Sequence, residues 1–155
     1  TSLIQCTIYF RYYLNQALKV SGLGDQFLDN LQIWRDQMAL GLTTWAEMPE
    51  PSRSDCHAWG ASPNIEFYRI LLGIDSDAPG FRKIRIAPSL GKLKEVSGTI
   101  PHPLGSVTAA YKLDERGEGT ARLVLPEGTT GIFIWDGKEI PLKPGEQVIS
   151  LSSRH

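Results

Sequence analysis

The segment Ile132-Phe133-Ile134-Trp135-Asp136-Gly137-Lys138-Glu139-Ile140 decides the fold of the C-terminal half of the chain. At its centre, Asp136-Gly137 is a dipeptide that favours the type I′ turn of a two-residue β-hairpin. The segment therefore predicts two antiparallel strands, at residues 132–135 and 138–140.

Further short strands are predicted around this hairpin, because apolar residues recur there with a period of two. The alternation puts Ile84 and Ile86 on one face of residues 83–87, and a last strand is predicted at residues 148–151. Two longer stretches alternate in the same way, and their apolar positions are Val107, Ala109, Tyr111 and Leu113, then Ala121, Leu123 and Leu125. Six or seven short strands separated by Gly and Pro turns are typical of an antiparallel β-sandwich.

Before residue 75 the apolar residues follow a helical period instead. Two helical faces are predicted, made of Phe10, Leu14, Ala17 and Leu18, and of Phe27, Leu31, Trp34 and Met38. A third helix is predicted to begin with Ser62 as its N-cap and Pro63 in its first turn. Its inward-facing residues are then Ile65, Tyr68 and Leu72. The glycines that follow the three stripes are suitable helix ends, namely Gly22, Gly41 and Gly73.

The change of period predicts an α+β chain in two parts, with helices in residues 1–75 and a β-sandwich in residues 76–155. The predicted helices carry more aromatic side chains than three helices and a small sandwich can bury, including Tyr9, Phe10, Tyr12, Tyr13, Phe27 and Trp34. This surplus of apolar surface indicates the last helices of a larger helical assembly.

Composition narrows the class of protein and of partner. The 155 residues are 41% apolar and 21% charged, as in soluble globular proteins, and the net charge of -1 gives no electrostatic reason for binding nucleic acid or an anionic membrane. No apolar run approaches the roughly 20 residues that span a bilayer. The two cysteines, Cys6 and Cys56, are interpreted as packed thiols, and no His/Cys cluster has metal-ligand spacing. Neither a metal nor a cofactor is expected.

The chemistry-bearing residues crowd into a long loop between the second and third predicted helices. Within residues 45–59 it holds Trp45, Glu47, Asp55, His57 and Trp59. Indole rings stack on the C–H faces of sugars, and carboxylates bind pairs of hydroxyl groups. A carboxylate held against an indole is also suited to acid–base work. The loop therefore suggests a carbohydrate site.

Each of these residues also has a purely structural interpretation. Glu47 fits a loop carboxylate in solvent, and Glu50, between two prolines, is expected to be exposed. Asp55 fits an Asx-turn or a cap, and His57 a satisfied structural histidine. Trp45 and Trp59 are equally consistent with core packing, which is also the role assigned to Trp34 and Trp135.

Five ordered landmarks resemble those of the bacterial α-L-rhamnosidases of glycoside hydrolase family 78. The first two are Gly41-Leu42-Thr43-Thr44-Trp45-Ala46-Glu47 and Asp55-Cys56-His57-Ala58-Trp59-Gly60. The later ones are Leu72-Gly73-Ile74 with Pro79-Gly80-Phe81, Ile86-Ala87-Pro88 with Leu90-Gly91, and Gly98-Thr99-Ile100-Pro101-His102-Pro103-Leu104-Gly105. The resemblance covers roughly residues 5–113, and the remaining β region matches only generically.

The resemblance implies an (α/α)6 barrel followed by a C-terminal β-sandwich, and an inverting mechanism with two carboxyl groups. By position in its motif, Glu47 corresponds to the general base and His57 to a residue that contacts rhamnose. Trp45, Asp55 and Trp59 are candidates for the sugar pocket. The general acid of the family lies upstream of the residues present here.

The resemblance therefore predicts the C-terminal part of a glycosidase that removes terminal α-L-rhamnose, inactive by itself because it carries one half of the catalytic pair. The expected partners are a rhamnose-containing carbohydrate, the rest of the parent barrel and, through exposed aromatic side chains, further copies of the chain. The alternative is a non-catalytic sandwich module that braces the barrel or binds carbohydrate. The compartment stays open, since secreted, periplasmic and cytoplasmic parents all fit.

Overall fold

The computed structural model describes residues 4–153, and the chain divides by its internal contacts into two compact units, Thr1–Glu66 and Phe67–His155. The first unit contains helices and loops, and the second contains two β-sheets. The α+β fold class predicted from the sequence is confirmed, and the β part is consistent with a sandwich. The described helices are three short ones and not a closed barrel, so the barrel itself stays a prediction.

Helix α1 spans Ile8–Val20 and begins at Thr7, whose hydroxyl oxygen accepts a hydrogen bond from the Phe10 backbone N–H at 3.3 Å. Gly22, at φ +76°, follows its end, as predicted. The predicted apolar face is partly wrong, because Phe10 and Ala17 are exposed. The buried side of α1 instead carries Ile8, Asn15 and Leu18.

The second predicted helix forms as two 3-10 turns, Gly24–Gln26 and Asp29–Leu31, followed by helix α2, Gln32–Ala39. Most of its predicted apolar stripe is buried, namely Phe27, Leu31 and Trp34. Met38 is 63% exposed, however, and Gln37 is buried next to it. At this end of the helix the buried face is therefore shifted by one position, so that it contains Gln37 instead of Met38.

Helix α3 spans Pro63–Glu66, follows a 3-10 turn, Ala58–Ala61, and is continued directly by the π-helical residues Phe67–Leu71. Ser62 does not act as the predicted N-cap, because its backbone is already helical (φ -52°, ψ -32°) and continues from that turn. Ile65 is exposed, contrary to the prediction. The long irregular loop predicted at residues 42–61 is confirmed over residues 42–57, which contain no helix or strand, whereas its last four residues form the 3-10 turn.

The second unit begins with a π-helical turn, Phe67–Leu71, and continues in eight described strands. The strands are β1 Ile74–Ser76, β2 Lys83–Ile86, β3 Glu95–His102, β4 Gly105–Leu113, β5 Gly119–Leu125, β6 Thr130–Trp135, β7 Lys138–Leu142 and β8 Gly145–Leu151. One sheet has the order β1-β2-β6-β7 and the other β3-β4-β5-β8. All neighbouring strands are antiparallel except β2 and β6, which run parallel.

The core of this unit contains apolar side chains from both sheets. Ile84, Ile86 and Phe133 come from one sheet, and the other contributes Val107, Ala109, Tyr111, Ala121 and Leu123. The rings of Tyr111 and Phe133 stack with centroids 6.4 Å apart. Predicted core positions in β2, β4 and β5 are thus confirmed, and so is the packing role of Trp135 in β6.

Candidate functional site

The loop of residues 42–57 is folded back on itself by two backbone hydrogen bonds. The Glu47 N–H donates to the Ser54 carbonyl at 2.9 Å, and the His57 N–H donates to the Trp45 carbonyl at 2.8 Å. The segments 45–47 and 54–57 therefore run side by side. Glu47 and His57, ten positions apart in the sequence, belong to one local structure.

The Glu47 side chain is largely shielded from solvent and pairs with an arginine from the same loop. Arg53 donates from Nε to Glu47 Oε2 at 3.1 Å and from its terminal nitrogen to Oε1. The Glu47 side chain is 15% exposed and that of Arg53 is 73% exposed. This two-point contact fixes the plane of the carboxylate, as arginine commonly does. A carboxylate with two oxygens keeps further lone pairs that can accept a proton from water.

The sequence did not single out Arg53. A cation six positions after the glutamate, across a turn, is a weak signal, because pairing depends on the path of the loop. The structural reading of Glu47 as a carboxylate free in solvent does not hold. Glu50, in contrast, is exposed as predicted, and its carboxylate accepts a hydrogen bond from the Ser52 N–H at 3.1 Å.

An aromatic surface adjoins this loop. The His57 and Trp59 rings lie with centroids 4.4 Å apart, and Trp59 meets Tyr9 of helix α1 edge-on at 5.7 Å. Trp59 is 40% exposed. His57 Nδ1 is buried and has no hydrogen-bond partner among the described residues. Exposed indole and phenol rings beside an imidazole can stack on the C–H face of a sugar and bind its hydroxyls.

The other two predicted site residues differ in their surroundings. Trp45 is partly buried and packs against Gly60, where an added Cβ would come within 2.4 Å of the Trp45 Cβ. Trp34 lies next to the same glycine, and its indole N–H donates to the Gly60 carbonyl at 2.7 Å, so its predicted packing role is confirmed. Asp55 is exposed, and its backbone carbonyl accepts a hydrogen bond from the Thr44 hydroxyl.

Helix α2 contacts the other side of the loop. The Ala46 N–H donates to Gln37 Oε1 at 2.9 Å, in a buried environment. A cavity of about 110 Å³ lies beside this contact, and its lining includes Gln37, Leu42, Ala46, Met48 and Glu50. Sequence periodicity missed Gln37 because it counted only apolar residues.

Within residues 4–153, no group of three or more His, Cys, Asp or Glu side chains is arranged to hold a metal ion. No described helix is long and apolar enough to cross a membrane. Cys6 and Cys56 are both exposed free thiols, so their interpretation as packed thiols is wrong.

The fold and the loop together define an α+β chain in which a carboxylate- and indole-bearing loop precedes a β-sandwich. Residues 73–147 match the family model described as the bacterial alpha-L-rhamnosidase C-terminal domain. The resemblance read from the sequence is thereby confirmed, and the sandwich corresponds to the C-terminal domain of an α-L-rhamnosidase. Over those residues the chain is thus similar to a glycoside hydrolase-related module. The loop of residues 42–57 lies outside the matched residues.

Three solved rhamnosidases share this fold. The chain is similar to native α-L-rhamnosidase from Aspergillus terreus, with a TM-score of 0.79 and 20% identity over 90% of this chain and 18% of that one. For α-L-rhamnosidase from Dictyoglumus thermophilum the TM-score is 0.78 and the identity 17%, over 94% of this chain and 21% of that one. For the family 78 rhamnosidase of Bacillus sp. GL1 the values are 0.59 and 24%, over 82% and 16%.

At these identities the structural likeness concerns the fold alone. The chain spans about a fifth of the length of these rhamnosidases. A comparison of the sequence with curated proteins gives no match.

Proposed function

We propose that this chain is the C-terminal part of a glycoside hydrolase that removes terminal α-L-rhamnose by an inverting mechanism. The observation that carries the proposal is the order of two features along the chain. A loop whose segments 45–47 and 54–57, which carry Glu47 and His57, are held side by side by backbone hydrogen bonds is followed by a sandwich matching a rhamnosidase C-terminal domain.

In the proposed mechanism Glu47 acts as the general base. It takes a proton from the water that attacks the anomeric carbon, while a carboxylic acid elsewhere in the protein protonates the leaving oxygen. Inversion needs about 6.5–9.5 Å between the two carboxyl groups, so that the water fits between them. The contact with Arg53 supports this role because it holds the carboxylate in one orientation.

The sugar would lie against His57 and Trp59. Their rings are 4.4 Å apart, and Trp59 is partly exposed, so a C–H face can stack there while the imidazole binds a hydroxyl. Trp45 and Asp55 are proposed as more distant parts of the same pocket. The tight packing of Trp45 against Gly60 favours a supporting role for that indole.

We further propose that this chain is inactive without the remainder of the protein. General acid and general base each contribute about 10²–10⁴-fold, and correct placement of the sugar contributes more. A chain with one carboxylate and part of a pocket loses most of both contributions.

The experiment follows hydrolysis of an α-L-rhamnoside by the full-length protein with proton NMR of the first sugar released. Inversion predicts that β-L-rhamnose appears first and then mutarotates. Initial release of α-L-rhamnose would contradict the inverting mechanism. Cleavage of another glycoside but not of rhamnoside would contradict the substrate.

The second candidate function is a non-catalytic brace formed by the sandwich. Burial of its strand aromatics favours bracing over sugar binding, because Tyr111 and Trp135 lie in the core and offer no open ring face. A glycan array probed with this chain separates the two roles. The absence of binding to any glycan supports bracing, and binding that survives Trp59→Ala would favour a carbohydrate-binding sandwich.

A further inference from the structure

Helix α2 buries a glutamine where a helix on the surface would normally expose it. Gln37 is 3% exposed, and burial of its amide is costly unless the amide makes a hydrogen bond. Its Oε1 accepts from the Ala46 N–H at 2.9 Å. Since a backbone N–H requires an acceptor, this contact fixes the orientation of the Gln37 amide, with its oxygen towards the loop.

The hydrogen bond ends one residue from Glu47. Ala46 is fully buried, and the residues on its two sides are held by the returning part of the loop through Glu47 N–H to Ser54 and His57 N–H to Trp45. The short segment 45–47 is therefore anchored from two directions, by α2 on one side and by residues 54–57 on the other.

Of the two side chains that hold Glu47 in place, the buried one is expected to matter more. Arg53 is largely exposed, and exposed ion pairs contribute little because water and salt compete with them. The Ala46 N–H is buried, and a buried donor that loses its acceptor keeps the full cost of its desolvation. Loss of the Gln37 oxygen should therefore displace the segment rather than leave it unchanged.

We infer that Gln37 is a positioning residue for Glu47, acting through its buried hydrogen bond to the Ala46 amide. Its role in catalysis rests on the proposed function, whereas its role in fixing the loop does not. Gln37 acts on the peptide from which Glu47 projects, and not on the Glu47 carboxylate or a substrate.

The test uses three substitutions of Gln37 and one matched control. Gln37→Met has similar length but no strong acceptor, and Gln37→Asn keeps an amide that is one methylene too short. Gln37→Glu keeps a side-chain oxygen at the same length, so the Ala46 N–H retains an acceptor. The control is Gln32→Met, on the exposed side of the same helix, where the glutamine donates to Asp36 at 2.7 Å.

The first readout is amide hydrogen exchange in this chain by NMR, with the Arg53 Nε–H resonance as a reporter of the Glu47 carboxylate. We expect Ala46 to exchange at least tenfold faster, and the Arg53 signal to shift, in Gln37→Met and Gln37→Asn. Gln32→Met and the sandwich amides should be unaffected. Unchanged Ala46 exchange in Gln37→Asn, or in a folded Gln37→Met, would overturn the inference.

The second readout is turnover of an α-L-rhamnoside by the full-length protein. We expect kcat to fall tenfold or more in Gln37→Asn while KM changes less than twofold, and Gln37→Glu to recover most of the loss. Faster Ala46 exchange with unchanged kcat would overturn the positioning role. If the wild-type protein does not hydrolyse the rhamnoside, the proposed function is contradicted. The hydrogen-exchange data would still decide whether Gln37 holds the loop.

Discussion

At the scale of single residues, Gly73 shows how closely the backbone packs at the start of the sandwich unit. Its φ is +72°, and its carbonyl accepts from the Ala87 N–H at 2.9 Å. A Cβ built there would lie 2.2 Å from the Ala87 carbonyl carbon. Both the left-handed backbone and the close approach require glycine.

Gly73→Ala should therefore destabilise the protein by at least about 3 kcal/mol, by adding a steric clash to the left-handed penalty of about 1–2 kcal/mol. Gly137→Ala is the matched control, since Gly137 has the same φ of +72° but nothing within 4 Å of an added Cβ. Urea unfolding of the two variants measures the difference. Equal losses would mean that backbone strain, and not packing, decides the result.

A surface ion pair gives a pH prediction at the same scale. Arg122 donates to both carboxylate oxygens of Glu146, at 3.0 and 2.6 Å, and this hydrogen bonding lowers the pKa of Glu146. A lowered pKa means that the stabilisation is present above the unfolded-state pKa and is lost as pH falls through the folded-state pKa.

Arg122→Gln should consequently cause a small drop in melting temperature at pH 7 that disappears in acid. The effect should also shrink in high salt, because the pair is exposed. Melting curves of wild type and variant, recorded from pH 7 down into acid and at low and high salt, measure this difference in melting temperature. A difference that persists below the lowered folded-state pKa of Glu146 would point to lost packing by the arginine stem.

At the scale of elements, the hairpin around Asp136-Gly137 forms in the predicted register, with Trp135 opposite Lys138. Local turn chemistry sufficed there, since both turn residues have positive φ. Strand β3 was not predicted, because all its residues before His102 are exposed or only partly buried and include Gly98 and Pro101. The parallel pairing of β2 with β6 was also missed, as it joins segments more than forty residues apart.

The helical unit was predicted less well, for a different reason. Apolar periodicity assumes that buried positions are apolar, yet Asn15, Gln37 and Glu66 are buried. The apolar faces predicted from the sequence therefore included Phe10 and Met38, which are exposed. The Gln16 amide donates to the buried Glu66 carboxylate, whereas the side-chain amide of Asn15 has no hydrogen-bond partner among the described residues. No sequence period reveals such polar burial.

One element contact gives a further prediction. The Tyr111 hydroxyl of β4 donates to the Leu72 carbonyl at 2.8 Å, in the core of the sandwich unit. Tyr111→Phe keeps the ring but leaves this carbonyl without the hydroxyl, which should cost about 1–3 kcal/mol. Urea unfolding should show a lower midpoint with an unchanged slope. A loss below about 0.3 kcal/mol would mean that the hydroxyl is energetically unimportant.

At the scale of the whole molecule, exposed apolar side chains on the helical unit predict self-association. They include Tyr9, Phe10, Tyr13, Met38 and Leu40. Burial of such a surface is favourable, so sedimentation should report species larger than a monomer as the concentration rises. Phe10→Glu should reduce this association. A monomer at all concentrations would mean that the surface is tolerated in water.

The sequence predicts which residues make up the candidate site better than it predicts how they are arranged in space. The crowding of carboxylates, imidazole and indoles in residues 45–59 is visible in the sequence, and the proposed role of Glu47 comes from the resemblance of its motif. Arg53, Tyr9 and Gln37 reach the site only through the path of the loop and the packing of α1 and α2. Such contacts depend on tertiary structure and leave no local pattern.

The most direct test of the central claim compares rhamnoside hydrolysis by the full-length protein with that by its Glu47→Gln and Glu50→Gln variants. The two substitutions are chemically identical and lie three residues apart in one loop. We predict that Glu47→Gln lowers kcat by about 10²–10⁴-fold, as expected for a lost general base, and that Glu50→Gln stays near wild type. Equal turnover by Glu47→Gln and wild type would contradict the assignment of Glu47 as the catalytic base.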